Sequence, residues 1–165
     1  MSDFDPDQFM SSTIDQPLET ERKLCPAGEY KATIDDFTRE AFQAIGFTYK
    51  KGPRAGEEGT FTKFNVPFVI DDAKVQSTLG MDKVVVYQSI TLDLDDSNQL
   101  QWGVNKNIDL GKLRKAVGQN NSGPWSPGNL RGAGPVIVKV VHRSGKRQDG
   151  SEWKNAEVER VAPIT

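Results

Sequence analysis

Basic side chains and aromatic rings recur together along this chain. Tyr49 precedes Lys50 and Lys51, and Arg54 follows. Phe61 and Lys63 have the spacing that puts both on one face of a strand. Trp102 is followed by Lys106, and Trp125 by Arg131. Lys146 and Arg147 precede Trp153 and Lys154, and Lys139 and Arg143 lie on the approach to them. Ammonium and guanidinium groups displace condensed counterions from phosphates, and flat rings stack on unpaired bases. The pattern therefore points to single-stranded nucleic acid. The competing reading is that each ring plugs the end of a small core, as large aromatics commonly do.

Catalytic chemistry has less support. His142 lies within a strand-like run, and no local motif ties it to Cys25 or to a serine as base and nucleophile. Asp93 and Asp95, with Asp96 beside them, could project from one strand face and hold a hard divalent cation. Their turn-rich setting better suits a polar hairpin mouth on the solvent face. One histidine and one cysteine cannot make a zinc site from nitrogen and sulfur alone. Gly132-Ala-Gly-Pro135 is too short for a phosphate-cradling loop. The expectation is a non-enzymatic protein that needs no metal or cofactor.

Composition agrees with one polar, globular domain: 165 residues, 36% hydrophobic and 27% charged. No apolar run approaches a membrane span, and MSDFDPDQFM lacks the order of a signal peptide. A lone cysteine excludes an intramolecular disulfide. The net charge of −2 is unevenly distributed. Residues 1–22 hold six acids against Arg22, whereas residues 101–165 hold eleven Lys and Arg against five acids. An acidic end on a basic body suggests a polyanion-binding surface with an internal competitor.

The elements that must position these groups are mostly strands. Residues 1–24 lack apolar periodicity and read as an extended acidic arm with scattered Phe4, Phe9, Met10, Ile14 and Leu18. Residues 25–165 read as one β-rich domain. Alternation predicts strands over 29–34, 60–70 and 83–95, and two more over 136–142 and 153–161 flanking a hydrophilic hairpin. Short helices are predicted over 38–45, over 71–79 capped by Asp71-Asp72 and ended by Gly80, and over 109–117 capped by Asp109. Five strands with too little helix for crossovers favour a mostly antiparallel domain. A small OB-like barrel is the first expectation and a β-sandwich the second. Strands near 60–68 and 136–142 would floor a groove, with the basic residues above on its two rims.

Several stretches resemble a bacteriophage-encoded family of small single-stranded DNA-binding proteins with an OB-like core. They are FDPDQF near the start, CPAGEYKATI at 25–34, NIDLGKLRKAVGQN at 107–120, LRGAGPVIVKVVHR at 130–143 and AEVERVAPI at 156–164. The resemblance implies an accessory role in phage DNA replication or recombination, in the host cytoplasm, with single-stranded DNA as partner and no catalytic residues. Many single-strand binders end in an acidic tail, but this chain ends in VAPIT and carries its acids at the front. Related β-domains also serve as capsid cement or decoration proteins. There the arm would clamp neighbouring subunits, the major capsid protein or copies of itself, and the location would be the virion capsid.

Overall fold

The computed structural model describes residues 3–164; Met1, Ser2 and Thr165 lie outside the described residues. It is mostly β, with a six-stranded mixed sheet and three short helices. The strands are β1 (Gly28–Ile34), β2 (Phe42–Thr48), β3 (Glu58–Ile70), β4 (Val85–Leu92), β5 (Val136–Lys146) and β6 (Glu152–Pro163). The helices are α1 (Pro6–Met10), α2 (Ala73–Leu79) and α3 (Ile108–Ala116). No helix of the described residues is long and apolar enough to cross a membrane.

The sheet order is β1-β5-β6-β4-β3-β2, and β1 also pairs with β3. The pairings are antiparallel except β4 with β6, which run parallel with Tyr87 beside Glu157. The expected antiparallel domain thus has one parallel seam and one strand more than the sequence suggested.

The extra strand corrects the helix expected over 38–45. Thr38 caps only a single 3-10 turn over Arg39–Ala41, and the chain then becomes β2. Every residue from Phe42 to Thr48 finds a partner on β3, from Phe64 to Glu58. A local helical turn loses to a ladder that also seats Phe42 against Phe64, rings stacked 4.6 Å apart.

The core forms where the alternating strands turn one face inward. Phe64, Val66, Phe68 and Ile70 of β3 are fully buried, with Val86 and Ile90 of β4 and Val136, Val138 and Val140 of β5. Leu110, Leu113 and Ala116 bring one side of α3 onto them. Asp72, not Asp71, caps α2 by accepting the Val75 amide at 3.0 Å, and Gly80 ends it in the left-handed conformation. Residue Asn107, not Asp109, begins α3.

The folded part begins at Cys25, which is buried. Before it residues 3–23 are exposed and contain a helix, so the arm is not extended throughout. Asp5 caps α1, and the Phe4 and Phe9 rings meet at 5.4 Å.

Candidate nucleic-acid interface

The outer faces of β3, β4 and β6 form the floor of a groove of about 850 Å³. Because Phe64, Val66 and Phe68 point inward, Lys63, Asn65 and Pro67 line this groove. Cross-strand register sets Asn65 beside Ser89 and Pro67 beside Tyr87. Tyr87 then neighbours Glu157 through the parallel seam, and Asn155 follows on the same face. Residues Arg22–Cys25 line one wall, and the Asp35–Thr38 turn contributes another.

This corrects the expected floor. β5 is not adjacent to β3: β1 separates them on one side, and β4 and β6 on the other. Of the expected floor strands only β3 contributes. Tyr87, half exposed at the centre of the groove, carries the ring that sequence reasoning missed.

Two hairpins stand at opposite ends of this face. Thr62 pairs with Leu92 at the end of β4, so the β2–β3 hairpin with Lys50, Lys51 and Arg54 lies beyond that end. β6 runs parallel to β4, so its first residues and the β5–β6 hairpin lie toward the start of β4. That hairpin carries Lys146, Arg147, Trp153 and Lys154. Trp153 pairs with Gly145, and a Cβ added to Gly145 would come within 2.8 Å of the indole. The ring therefore lies against bare backbone, held in place yet 37% exposed. Asp149 closes the turn by accepting from Ser151 Oγ at 2.6 Å and Ser151 N at 2.9 Å. Those donors, side chain first, hold its carboxyl below the ordinary aspartate value.

Ion pairing divides the expected cations. Arg54 contacts Glu57 at 2.8 Å and also lies 4.4 Å over the Tyr49 ring. Lys139 contacts Glu159 at 3.2 Å, and Arg143 contacts Glu157 at 3.5 Å. Arg131 donates to the Phe37 carbonyl at 2.8 Å, tying its loop to the core. Among the described residues Lys50, Lys51, Lys63, Lys106, Lys146, Arg147 and Lys154 form no ion pair. Most of these uncompensated cations sit on the two hairpins. Phe61, by contrast, is half buried against Phe47, with centroids 5.8 Å apart.

The three tryptophans separate clearly. Trp125 donates to Gln119 Oε1 at 2.9 Å, and Arg114 covers its ring at 4.1 Å, so it braces the end of α3. Trp153 lies on the β5–β6 hairpin, on the strand face that continues to Asn155 and Glu157 in the groove. Trp102 is 91% exposed on the loop between β4 and α3, with Val104 at 87% beside it.

That loop also answers the cation-site expectation. Asp93 Oδ2 accepts the Asn107 amide at 2.8 Å, and Asp95 Oδ1 accepts the Ser97 and Gln99 amides at 2.8 and 3.0 Å. The two carboxylates close separate turns beyond the end of β4 instead of sharing a strand face. No group of three metal-ligating side chains occurs among the described residues. The ring of His142 is 2.8 Å from the Cys25 carbonyl and joins the start of the domain to β5.

Comparison with known proteins adds no relative. No family model, curated protein or solved structure matches this chain. The functional reading therefore stands on the groove and its two hairpins.

Proposed function

We propose that this is a non-catalytic single-stranded DNA-binding protein built on an OB-like barrel. The pairing order supports the barrel. It returns from β1 through β5, β6, β4 and β3 to β1, with α3 inserted between β4 and β5. OB-folds bind oligonucleotides across their second and third strands, between the first-to-second and fourth-to-fifth strand loops. In this chain those places correspond to β3 and β4, the β2–β3 hairpin and the β5–β6 hairpin, with β2 an addition to the first of these connections.

The single observation that carries the reading is the siting of uncompensated cations. Lys50 and Lys51 at one end, and Lys146 and Arg147 at the other, flank a floor that exposes Tyr87, and Trp153 lies on the second hairpin beyond that floor. In the groove Asp36 and Glu40 offset Arg22, Lys23 and Lys63, and Glu157 is paired with Arg143, so the excess of positive charge lies on the hairpins. The backbone of a bound strand therefore follows the hairpins, and its bases turn onto the floor. Stacking there contributes roughly 1–3 kcal/mol per base without reading sequence.

The test is a titration with a fluorescent single-stranded oligonucleotide at low and then physiological salt. Binding that weakens with salt and resists competition by duplex supports the reading; no binding at low salt overturns it.

The arm favours a second reading as a virion structural protein. Phe4, Phe9, Met10, Ile14 and Leu18 are 63–77% exposed, as in an arm given to a neighbouring subunit. Stoichiometric co-purification with virions, without response to oligonucleotide, would favour this reading over DNA binding.

A further inference from the structure

β2 ends the sheet: it pairs with β3 on one side and with nothing among the described residues on the other. Its sequence, FQAIGFT, contains no charge and no proline. Soluble proteins ordinarily guard an open edge with lysine, proline or a bulge, because unpaired N–H and C=O groups recruit another strand. Here no such guard is present.

The register identifies the free groups. Tyr49 donates its amide to the Glu57 carbonyl at 2.9 Å, so Phe47, Ile45 and Gln43, at steps of two, direct their backbone groups toward β3. Ala44, Gly46 and Thr48 direct theirs away from the sheet, and all three are exposed. The Phe42 carbonyl also faces outward, while its amide is used by Arg39 O.

We propose that this edge pairs with the same edge of a second copy, antiparallel about a two-fold axis at Ile45. In that register Ala44 meets Gly46 of the other copy, and Thr48 meets Phe42. Roughly six backbone hydrogen bonds form across the axis. Such a contact is isologous and closes as a dimer, without growing into a filament.

Charge favours a second copy over other extended segments. The turn before β2 holds Asp36 and Glu40 with Arg39 between them, a net acidic end, and the turn after it holds Lys50 and Lys51. Antiparallel pairing sets the acidic end of each β2 beside the basic end of the other, bringing Glu40 toward Lys50. The uncharged stretch between them meets its equal. The acidic arm would meet Glu40 at one end with like charge. The inference does not depend on nucleic-acid binding.

The test is the mass of the full chain in solution, by light scattering on a sizing column without DNA. About twice the 18.3 kDa of the chain is expected at micromolar concentration. Ala44→Pro removes an outward amide and leaves the β3 ladder its bonds, so it should give a folded monomer with unchanged circular dichroism. Lys50→Glu should weaken the dimer, and adding Glu40→Lys should restore it. A monomeric wild-type chain at about 100 μM, or a dimer that tolerates both Ala44→Pro and Lys50→Glu, overturns the proposal. If Ala44→Pro unfolds the chain, the Lys50 and Glu40 pair decides.

Discussion

Asp93 and Asn107 clasp one another across the base of the loop between β4 and α3. Asp93 N donates to Asn107 Oδ1 at 2.9 Å, and Asn107 N returns a bond to Asp93 Oδ2 at 2.8 Å. The Asn107 amide also donates to the Asp93 and Gln101 carbonyls at 2.9 and 2.8 Å. Asparagine suits the place because its φ is 51°, a left-handed conformation that asparagine tolerates better than most residues. The clasp ends β4, starts α3 and fixes the loop that displays Trp102.

Removing the clasp should loosen the loop more than the core. Asn107→Ala loses the side-chain bonds and strains a left-handed position, so a loss of about 1–3 kcal/mol is expected. Denaturant unfolding measures the loss, and amide exchange locates it. Faster exchange is expected over 94–107 with little change in β3. A stability unchanged from wild type would mean that the clasp contributes nothing net.

The rings at the groove should matter for binding, and the ring beside α3 for stability. Tyr87→Ala and Trp153→Ala should each weaken single-stranded DNA binding by roughly tenfold or more while the protein stays folded. Trp125→Ala should lower the melting temperature, because it removes the Gln119 bond and uncovers Arg114. Affinity that falls only for Trp125→Ala would place the bases away from this groove.

These distinctions were legible to different degrees in the sequence. The alternation over 60–70 and 83–95 picked out the inner face, where Phe64, Val66, Phe68 and Ile70 of β3 and Val86 and Ile90 of β4 are buried. It placed Tyr87 outward, but a tyrosine within an apolar run carries no separate signal. The helix–strand ambiguity at 42–48 is resolved by the partner β3 and by no local feature. Arg131 looked like a free cation because its acceptor, the Phe37 carbonyl, is 94 residues away. The turn composition at 93–96 matched the turns that Asp93 and Asp95 close, but the partner Asn107, across a loop, carried no local signal.

Phosphate contacts at the hairpins should appear in the salt dependence of binding. Each neutralised phosphate on a single strand contributes about 0.7 to the slope of log affinity against log salt. Replacing Lys50 and Lys51 together with alanine should make that slope shallower by roughly 1.4 if each contacts one phosphate. The change should be similar for oligonucleotides of different sequence, because phosphate contacts carry no base information. An unchanged slope would remove the β2–β3 hairpin from the DNA path.

Cys25 should report whether the junction between arm and domain is closed. Burial raises its thiol above the ordinary cysteine value, and the nearby Asp72 charge raises it further. The folded state thus favours the neutral thiol. That contribution to stability is complete below the unfolded-chain pKa and disappears as pH rises through the higher folded value. Two results are expected. The native protein should react far more slowly with a thiol-specific disulfide reagent at pH 8 than the denatured chain does, since the thiolate is the attacking form. Stability should also decline toward alkaline pH, and Cys25→Ala should flatten that decline. Rapid labelling of the native protein would mean that residues before Gly28 open readily, with the bond from His142 to the Cys25 carbonyl broken much of the time.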